Sequence, residues 1–330
     1  MVTGRAASAD VVTALQAGAN DYITKPLDLP VVAARVAAQL ATVRSIQATK
    51  PTLASHLGGR YEILRPLGEG GFGRTYLAQD WHRPGKPLCV VKKLLSVPLT
   101  EPEKLRRTRQ LFQREARVLE NLGHYKHIPR LLAYFEQDGD FYLVEEFIAG
   151  PSLRERFADG KPWPVPAVFG LVKNLLKILK FMHRHSVIHR DIKPDNIIYE
   201  AASDHYFLID FGAVKEMSPQ PDPYAASVSI GTRGYAPIEQ LMGYPEFNSD
   251  LYALGMVALQ ALTSIPPTAL PWDVHSGELD LTPWRTPQNG HLLNILQAMT
   301  RYYPQDRYPS AADALRDLNK LEFLLLGPKD

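Results

Sequence analysis

An internal disulfide framework is closed to this chain, which has a single cysteine, Cys89. One thiol cannot staple a fold within itself, and it suits a reducing compartment. An excess of charge is also missing. Lys and Arg number 37 against 35 Asp and Glu, a formal net charge of +2, so composition gives no reason to expect nucleic acid or an acidic membrane surface as a partner. No uninterrupted apolar run reaches the ~18 to 20 residues that a membrane span needs. The opening MVTGRAASAD lacks the basic-then-apolar order of a signal peptide. Internal repeats and low-complexity tracts are absent too. The expectation is a soluble, cytoplasmic protein. What is present is ordinary globular composition, 45% apolar and 22% charged, in 330 residues, enough to bury a large core in two or more lobes.

Patterning divides the chain. Residues 1 to about 50 are rich in Ala, Val and Leu and poor in aromatics. ATKPTLASHLGG (48–59), small and polar with Pro51 and two glycines, reads as a linker. YEILRPLGEGGFGRTYLA (61–78) has the alternation and glycines of two strands joined by a turn. PLCVVKKLL (87–95) predicts a third strand, and 101–122, with Leu105, Phe112, Val118, Leu119 and Leu122 in helical spacing, predicts a helix. Residues 130–148 predict two strands around a turn at Asp138–Gly139. Beyond Gly150 the pattern becomes helical. Residues 165–185 carry Phe169, Val172, Leu175, Leu176, Leu179 and Met182 on one face. A small strand-rich lobe therefore precedes a larger helical one.

Chemistry enters at LGEGGFGRTY, where Gly68, Gly70 and Gly73 are spaced G-x-G-x-x-G. The spacing alone is weak, because dinucleotide folds share it. A dinucleotide site needs the glycines between a strand and a helix, whereas strand-like residues lie on both sides here. Such a hairpin is either a plain turn or a flap over polyphosphate, to which it offers backbone N–H groups without side-chain obstruction. Lys92 ends the CVVK strand. A lone strand lysine is usually solvated, but a lysine that grips phosphate needs a carboxylate to hold its flexible stem, and Glu115 on the following helix is placed to do so. Lys93 should point the opposite way. VIHRDIKPDNIIY (187–199) fits H-R-D-x-x-x-x-N, with Asp191 and Asn196 on one loop, and LIDFG follows with Asp210. A carboxylate that accepts a hydroxyl proton, with an amide and a second carboxylate that bind magnesium, is what phosphoryl transfer needs. Each piece arises by chance; the ordered set does not.

On these motifs, residues 61 to about 324 resemble a eukaryotic-type serine/threonine protein kinase of the kind found in bacteria. The resemblance implies an α+β, bilobal fold: a small β-rich amino-terminal lobe (60–149), a larger helical carboxy-terminal lobe (150–325), a tail (326–330), and ATP in the cleft between lobes. It implies transfer of the ATP γ-phosphoryl group, with Mg2+, to Ser or Thr hydroxyls of a protein substrate. Asp191 would be the catalytic base, Asn196 and Asp210 the magnesium ligands, and Lys92 the α/β-phosphate contact. Lys193, in DIKPDN, is the family's mark of Ser or Thr substrates. Leu67 would join Gly68, Gly70 and Gly73 at the ATP site. Thr75, Val90 and Ile198 match the positions that sandwich adenine, and Glu146 to Ile148 match the hinge whose backbone reads its edge. Leu119, Leu131, His189 and Phe211 match the stacked residues that tie the Glu115 helix to the core. In GTRGYAPIEQ, Thr232 is similar to the threonine that contacts the catalytic aspartate. Glu239 matches the glutamate of A-P-E, Arg307 its buried partner, and Asp250 the aspartate that braces the catalytic loop. The competing expectation is a pseudokinase, a nucleotide-binding scaffold that keeps the fold without turnover.

Two positions depart from the family pattern. Ile238 replaces the A-P-E proline, with Pro237 beside it, which predicts a small local change in loop shape. Glu145 falls at the gatekeeper position behind the adenine, where most members have an apolar or neutral residue. A carboxylate buried there is costly unless hydrogen-bonded; it approaches Lys92, shares the adenine amino group or is protonated, and pairing with Lys92 in the nucleotide-free state is the expectation. Arg190 precedes Asp191, and kinases with that arginine commonly use it to hold an activation-loop phosphate. The loop offers Ser218, Tyr224, Ser227, Ser229 and Thr232, of which Ser227 or Ser229 is favoured.

Residues 1–46 resemble the carboxy-terminal part of a response-regulator receiver domain, followed by a linker (47–59). MVTG looks like its fourth strand with Thr3 as switch threonine, and DYITKP like its fifth with Tyr22 and Lys25 as switch aromatic and phosphate-facing lysine. The acidic pocket and acceptor aspartate of that family do not precede them, so phosphorelay input is not expected. Three readings stay open: the chain starts at an internal methionine of a longer protein, the segment is a remnant docked on the kinase or a partner, or its last helix dimerises through Val32, Val36, Leu40 and Val43.

Overall fold

The computed structural model describes residues 2–3, 23–24, 56–70, 73–94, 102–217, 231–273 and 277–326. The chain divides into two units, Met1–His56 and Leu57–Asp330. In the first, β1 (Val2–Thr3) and β2 (Ile23–Thr24) pair in parallel, Val2 opposite Ile23 and Thr3 opposite Thr24. Tyr22, Lys25 and the Val32–Val43 stripe lie outside the described residues.

In the second unit, the strand-rich half is an antiparallel sheet in the order β3-β4-β5-β7-β6. Its strands are β3 (Tyr61–Gly70), β4 (Gly73–Asp80), β5 (Leu88–Leu94), β6 (Leu131–Gln137) and β7 (Asp140–Glu146). Pro66, which has no N–H to give a ladder, sits on the edge strand β3, beside an irregularity between Pro66 and Gly68. The β6–β7 turn puts Asp138 at φ 53° and Gly139 at φ 79°, the paired left-handed conformation that a two-residue hairpin with right-handed strand twist requires. Alternation sorts the faces. Cys89 and Val91 are buried against Tyr61, Ala78, Tyr142 and Val144, which leaves Val90 and Lys92 on the opposite face of β5.

The helix α1 (Pro102–Leu122) packs Phe112, Val118, Leu119 and Leu122 into the core and carries Glu115 with them, 6% exposed. After the short α2 (Leu153–Arg156), capped by Ser152 and Glu155, comes α3 (Val165–Arg184), whose core face runs from Val168 to Met182. Phe169 is only partly buried, at the margin of that face. Two small antiparallel pairs follow: β8 (Val187–Ile188) with β11 (Lys215–Glu216), and β9 (Ile197–Glu200) with β10 (His205–Leu208). They frame the loop of Asp191 and the turn at Asp210.

Below them α4 (Ile238–Leu241) opens on Pro237, so Ile238 starts a helical turn where a proline would also fit. The following α5 (Phe247–Thr263) is buried along nearly its whole length, as a helix through the middle of a lobe must be. It meets α6 (Gly290–Met299), and α7 (Ala311–Leu326) closes the lobe against α3. No helix among the described residues is long and apolar enough to cross a membrane.

Gly255 marks the tightest approach on α5: a Cβ there would stand 2.5 Å from Thr300 Cγ2. Gly255→Val should lower stability by ~1–3 kcal/mol through overpacking, read as a fall in the thermal unfolding midpoint.

Candidate active site

Strand register gathers the first set of charged groups. Lys92 lies opposite Leu143 on β7, and Val90 lies opposite Glu145. Residues two apart share a face, so Lys92 and Glu145 are diagonal neighbours on the same side of the sheet. Lys92 Nζ stands 3.1 Å from Glu115 Oε1, 3.2 Å from Asp210 Oδ1 and 3.3 Å from Glu145 Oε1. One ammonium thus serves three carboxylates, from a helix, a turn and a strand.

The electrostatics follow from burial. Desolvation works against the Lys92 charge, but Glu115, Glu145 and Asp210 outweigh it and hold the ammonium well above the ordinary lysine range. Burial raises the Glu115 carboxyl, with Lys92 pulling the other way. Lys92 holds the Asp210 carboxyl below its ordinary range, against the effect of burial. Burial pushes Glu145 up to about 7, opposed by Lys92 and reinforced by the Glu115 charge. The second oxygen of Glu145, Oε2, is buried without a hydrogen-bond partner.

The second set sits on the loop between β8 and β9. Lys193 Nζ donates to Asp191 Oδ2 at 2.6 Å and to Thr232 Oγ1 at 3.2 Å, while Thr232 Oγ1 donates to Asp191 Oδ1 at 2.8 Å. Asn196 Nδ2 donates to the Asp191 carbonyl at 2.8 Å and to Oδ2 at 3.0 Å. Both oxygens of Asp191 are therefore held in place. Asn196 gives its N–H groups to Asp191, and its amide oxygen remains an acceptor.

Two backbone positions here are left-handed without being glycine, Arg190 at φ 67° and Asp210 at φ 66°. Such conformations persist only where surrounding bonds hold them. For Arg190 the holder is the buried Asp250 carboxylate, which accepts the N–H of Arg190 at 3.0 Å and of His189 at 2.9 Å. His183 on α3 stands 3.0 Å from the same carboxylate. Gln240, itself buried, donates to the Arg190 carbonyl at 2.6 Å. The Arg190 guanidinium donates to the carbonyls of Ala213 (2.5 Å) and Val214 (3.2 Å), which ties the loop to the segment after Asp210. Lower in the lobe, Arg307, its side chain fully buried, reaches both oxygens of Glu239 at 2.6 and 3.2 Å.

The remaining expected residues fall around these sets. Leu67, Gly68 and Gly70 are on β3; Gly73 and Thr75 are on β4, with Thr75 opposite Lys92. A Cβ at Gly73, φ 153°, would stand 2.1 Å from the Lys93 carbonyl oxygen, so only glycine closes this hairpin. Lys93 points away from Lys92 and pairs with Asp140 at 2.5 Å. Glu146 donates its N–H to the Arg130 carbonyl and pairs its carboxylate with the Arg130 guanidinium at 3.0 Å. Ile148 is buried, and Ile198 on β9 bridges to Ser152. His189 stacks edge-on to Phe211 with ring centroids 5.1 Å apart. Ser227 and Ser229 lie outside the described residues. The sequence reading missed His183 and Gln240. A polar residue interrupting the apolar face of 165–185 was the available signal for the first; nothing local marks the second.

A family model for the protein kinase domain matches residues 61–317. The chain is 44% identical over 263 residues to serine/threonine-protein kinase C of Synechocystis sp., covering 77% of this chain and 48% of that protein. It is 38% identical over 268 residues to serine/threonine-protein kinase PknA of Nostoc sp., covering 79% and 47%. Against serine/threonine-protein kinase PknD of Mycobacterium tuberculosis it is 34% identical over 210 residues, 63% of this chain and 30% of that one. The chain spans about half the length of the first two relatives.

Removing one member of the buried Glu239–Arg307 pair strands a charge. Glu239→Ala should cost on the order of 3 kcal/mol, measured by the midpoint of chemical denaturation. Glu145 gives a pH signature. Its folded value, about 7, lies above the ~4.3 of an unfolded glutamate. Its stabilisation is therefore present below ~4.3 and lost as pH rises through about 7. Glu145→Gln suffers no such loss, so the difference in unfolding temperature, variant minus wild type, should increase as pH is raised from acid to alkaline across that window.

Proposed function

The chain belongs to the protein kinase family, and we propose that it transfers the γ-phosphoryl group of ATP to Ser or Thr hydroxyls of a protein substrate. The observation that carries this reading is the Asp191 carboxylate, held by Lys193, Asn196 and Thr232. A carboxylate so restrained orients an incoming hydroxyl and accepts its proton as the oxygen bonds to the γ-phosphorus and the β–γ bridge bond breaks. Lys193, 2.6 Å from Asp191, is placed to neutralise charge that builds on the transferring group. Lys92, kept charged in its nest of carboxylates, would contact the α- and β-phosphates. Leu67, Gly68, Gly70 and Gly73 would cover them, and Thr75, Val90, Ile198 and the Glu146–Ile148 backbone would hold the adenine.

The donor chemistry fits magnesium. Among the described residues no group of three or more His, Cys, Asp or Glu clusters into a metal cage. Magnesium needs none, since one or two protein oxygens beside substrate phosphates suffice. The Asp210 carboxylate, 43% exposed, and the Asn196 amide oxygen are hard donors of that kind. Bound there, the ion would shield the phosphate charge that repels a nucleophile.

The proposal extends to the rest of the chain. The lobes are taken as 60–149 and 150–325. Residues 1–46 are read as the end of a receiver domain, with the parallel pairing of β1 and β2 in support. A cytoplasmic setting is supported by the lone Cys89.

The test is phosphate incorporation from labelled ATP and magnesium. The wild type should incorporate label, with Ser227 or Ser229 among the labelled residues if it modifies its own loop. Asp210→Ala should abolish incorporation, and Asp191→Asn should reduce it by ~10²- to 10⁴-fold. Thermal stabilisation by ATP without magnesium, and no incorporation, would instead identify a nucleotide-binding scaffold.

A further inference from the structure

The carboxylate of Glu145 is the group this reading leaves without a task. It is 3% exposed, its Oε2 has no partner, and it faces an ammonium that already has Glu115 and Asp210. Burying a third carboxylate beside one lysine disfavours folding, because a single ammonium cannot balance three negative charges and the surplus is not solvated. A leucine or methionine at this position would avoid that cost. The arrangement therefore asks what the carboxylate does for Lys92.

The three partners of Lys92 differ in how they are carried. Asp210 belongs to a turn that holds a left-handed backbone, at φ 66°. Glu115 rides on α1, which meets β6 and β7 of the strand-rich half and the turn at Phe211–Ala213 of the helical half. Glu145 alone sits on an interior strand: β7 is hydrogen-bonded to β5 on one side and β6 on the other. Its separation from Lys92 is set by ladder register, Val90 opposite Glu145 and Lys92 opposite Leu143. A displacement of α1 would remove Glu115 from the lysine. It would leave Glu145 where it is.

We propose that Glu145 is a second, sheet-borne anchor for Lys92, a positioning residue that keeps the ammonium aimed into the cleft whether or not the Glu115 helix is docked. The inference rests on the nucleotide reading of the Lys92 site given above. It makes the Lys92–Glu115 pair partly dispensable in this chain. Glu145 acts through Lys92 and touches no reacting atom.

The experiment is a double-mutant cycle on the full chain with Glu115→Gln, Glu145→Gln and both together. It reads kcat and KM for ATP by phosphate incorporation, and affinity for a non-hydrolysable ATP analogue by calorimetry. A charge-assisted contact to Lys92 is worth ~10- to 100-fold. Glu115→Gln alone should lose less than about tenfold in kcat/KM, and the double variant should lose at least about tenfold more than the product of the two single losses. Glu145→Asp in the Glu115→Gln background should recover part of the loss, which a purely space-filling role would not give. The proposal is overturned if Glu115→Gln is already as impaired as the double variant, or if Glu145→Gln raises activity in either background, the sign of a carboxylate that competes with phosphate for Lys92. Should Glu115→Gln not fold, Glu115→Asp, which withdraws the helix carboxylate by one methylene, poses the same question. A wild type that binds the analogue without incorporating phosphate would refute the proposed catalysis, and the calorimetric cycle, which needs no turnover, would still decide for or against the second anchor.

Discussion

A buried aspartate holds the centre of this molecule together. Asp250, 1% exposed on the most buried helix of the lobe, accepts the backbone N–H groups of His189 and Arg190 and stands against His183. Its burial is offset by the two backbone N–H groups that it accepts. In return it stabilises the left-handed conformation of Arg190, the residue immediately before Asp191. The Arg190 guanidinium then reaches the carbonyls of Ala213 and Val214, and Gln240 closes on the Arg190 carbonyl. From one carboxylate, order spreads to the loop of Asp191, the segment after Asp210 and the start of α4.

A second hub joins the strand-rich and helical halves. Lys92 on β5 meets Asp210, on the turn between β10 and β11, and Glu115 on α1. Asp191 is held by Thr232, forty-one residues away in the chain. Both hubs work by the same rule. A flexible charged side chain acts at a defined point only if its partners have already restricted it, so that little ordering is left to do. The cost is visible at Glu145, a buried carboxyl with one oxygen unpartnered. Stability lost to this concentration of buried charge is offset by the apolar packing of α3, α5 and α6.

Much of this was legible from residue order. Alternation in 61–78, 87–95 and 130–148, and helical spacing in 101–122 and 165–185, correspond to observed elements, because each face they bury is decided by local periodicity. Asp138–Gly139 announces its turn, since few other pairs take positive φ at both positions. Lys92, Glu115, Asp191, Asn196 and Asp210 are found in two tight groups. Glu115 and Glu145 are both expected at Lys92 and are found there; local signals did not reveal that Asp210 is a third partner of the same ammonium.

The sequence by itself determined the class of fold, the order of its elements and the residues of the two charged groups, because those depend on periodicity and on short motifs whose residues are close in the chain. Only the tertiary structure decided at what distances those charges meet and which further groups join them. The pairing of Val90 with Glu145 sets a carboxylate beside Lys92 through the register of two strands. The contacts of Asp250, Gln240 and Arg307 each span fifty or more residues. Contacts of that length are chosen by how whole faces pack and by the need to satisfy every buried polar group at once, and no window of sequence contains both partners.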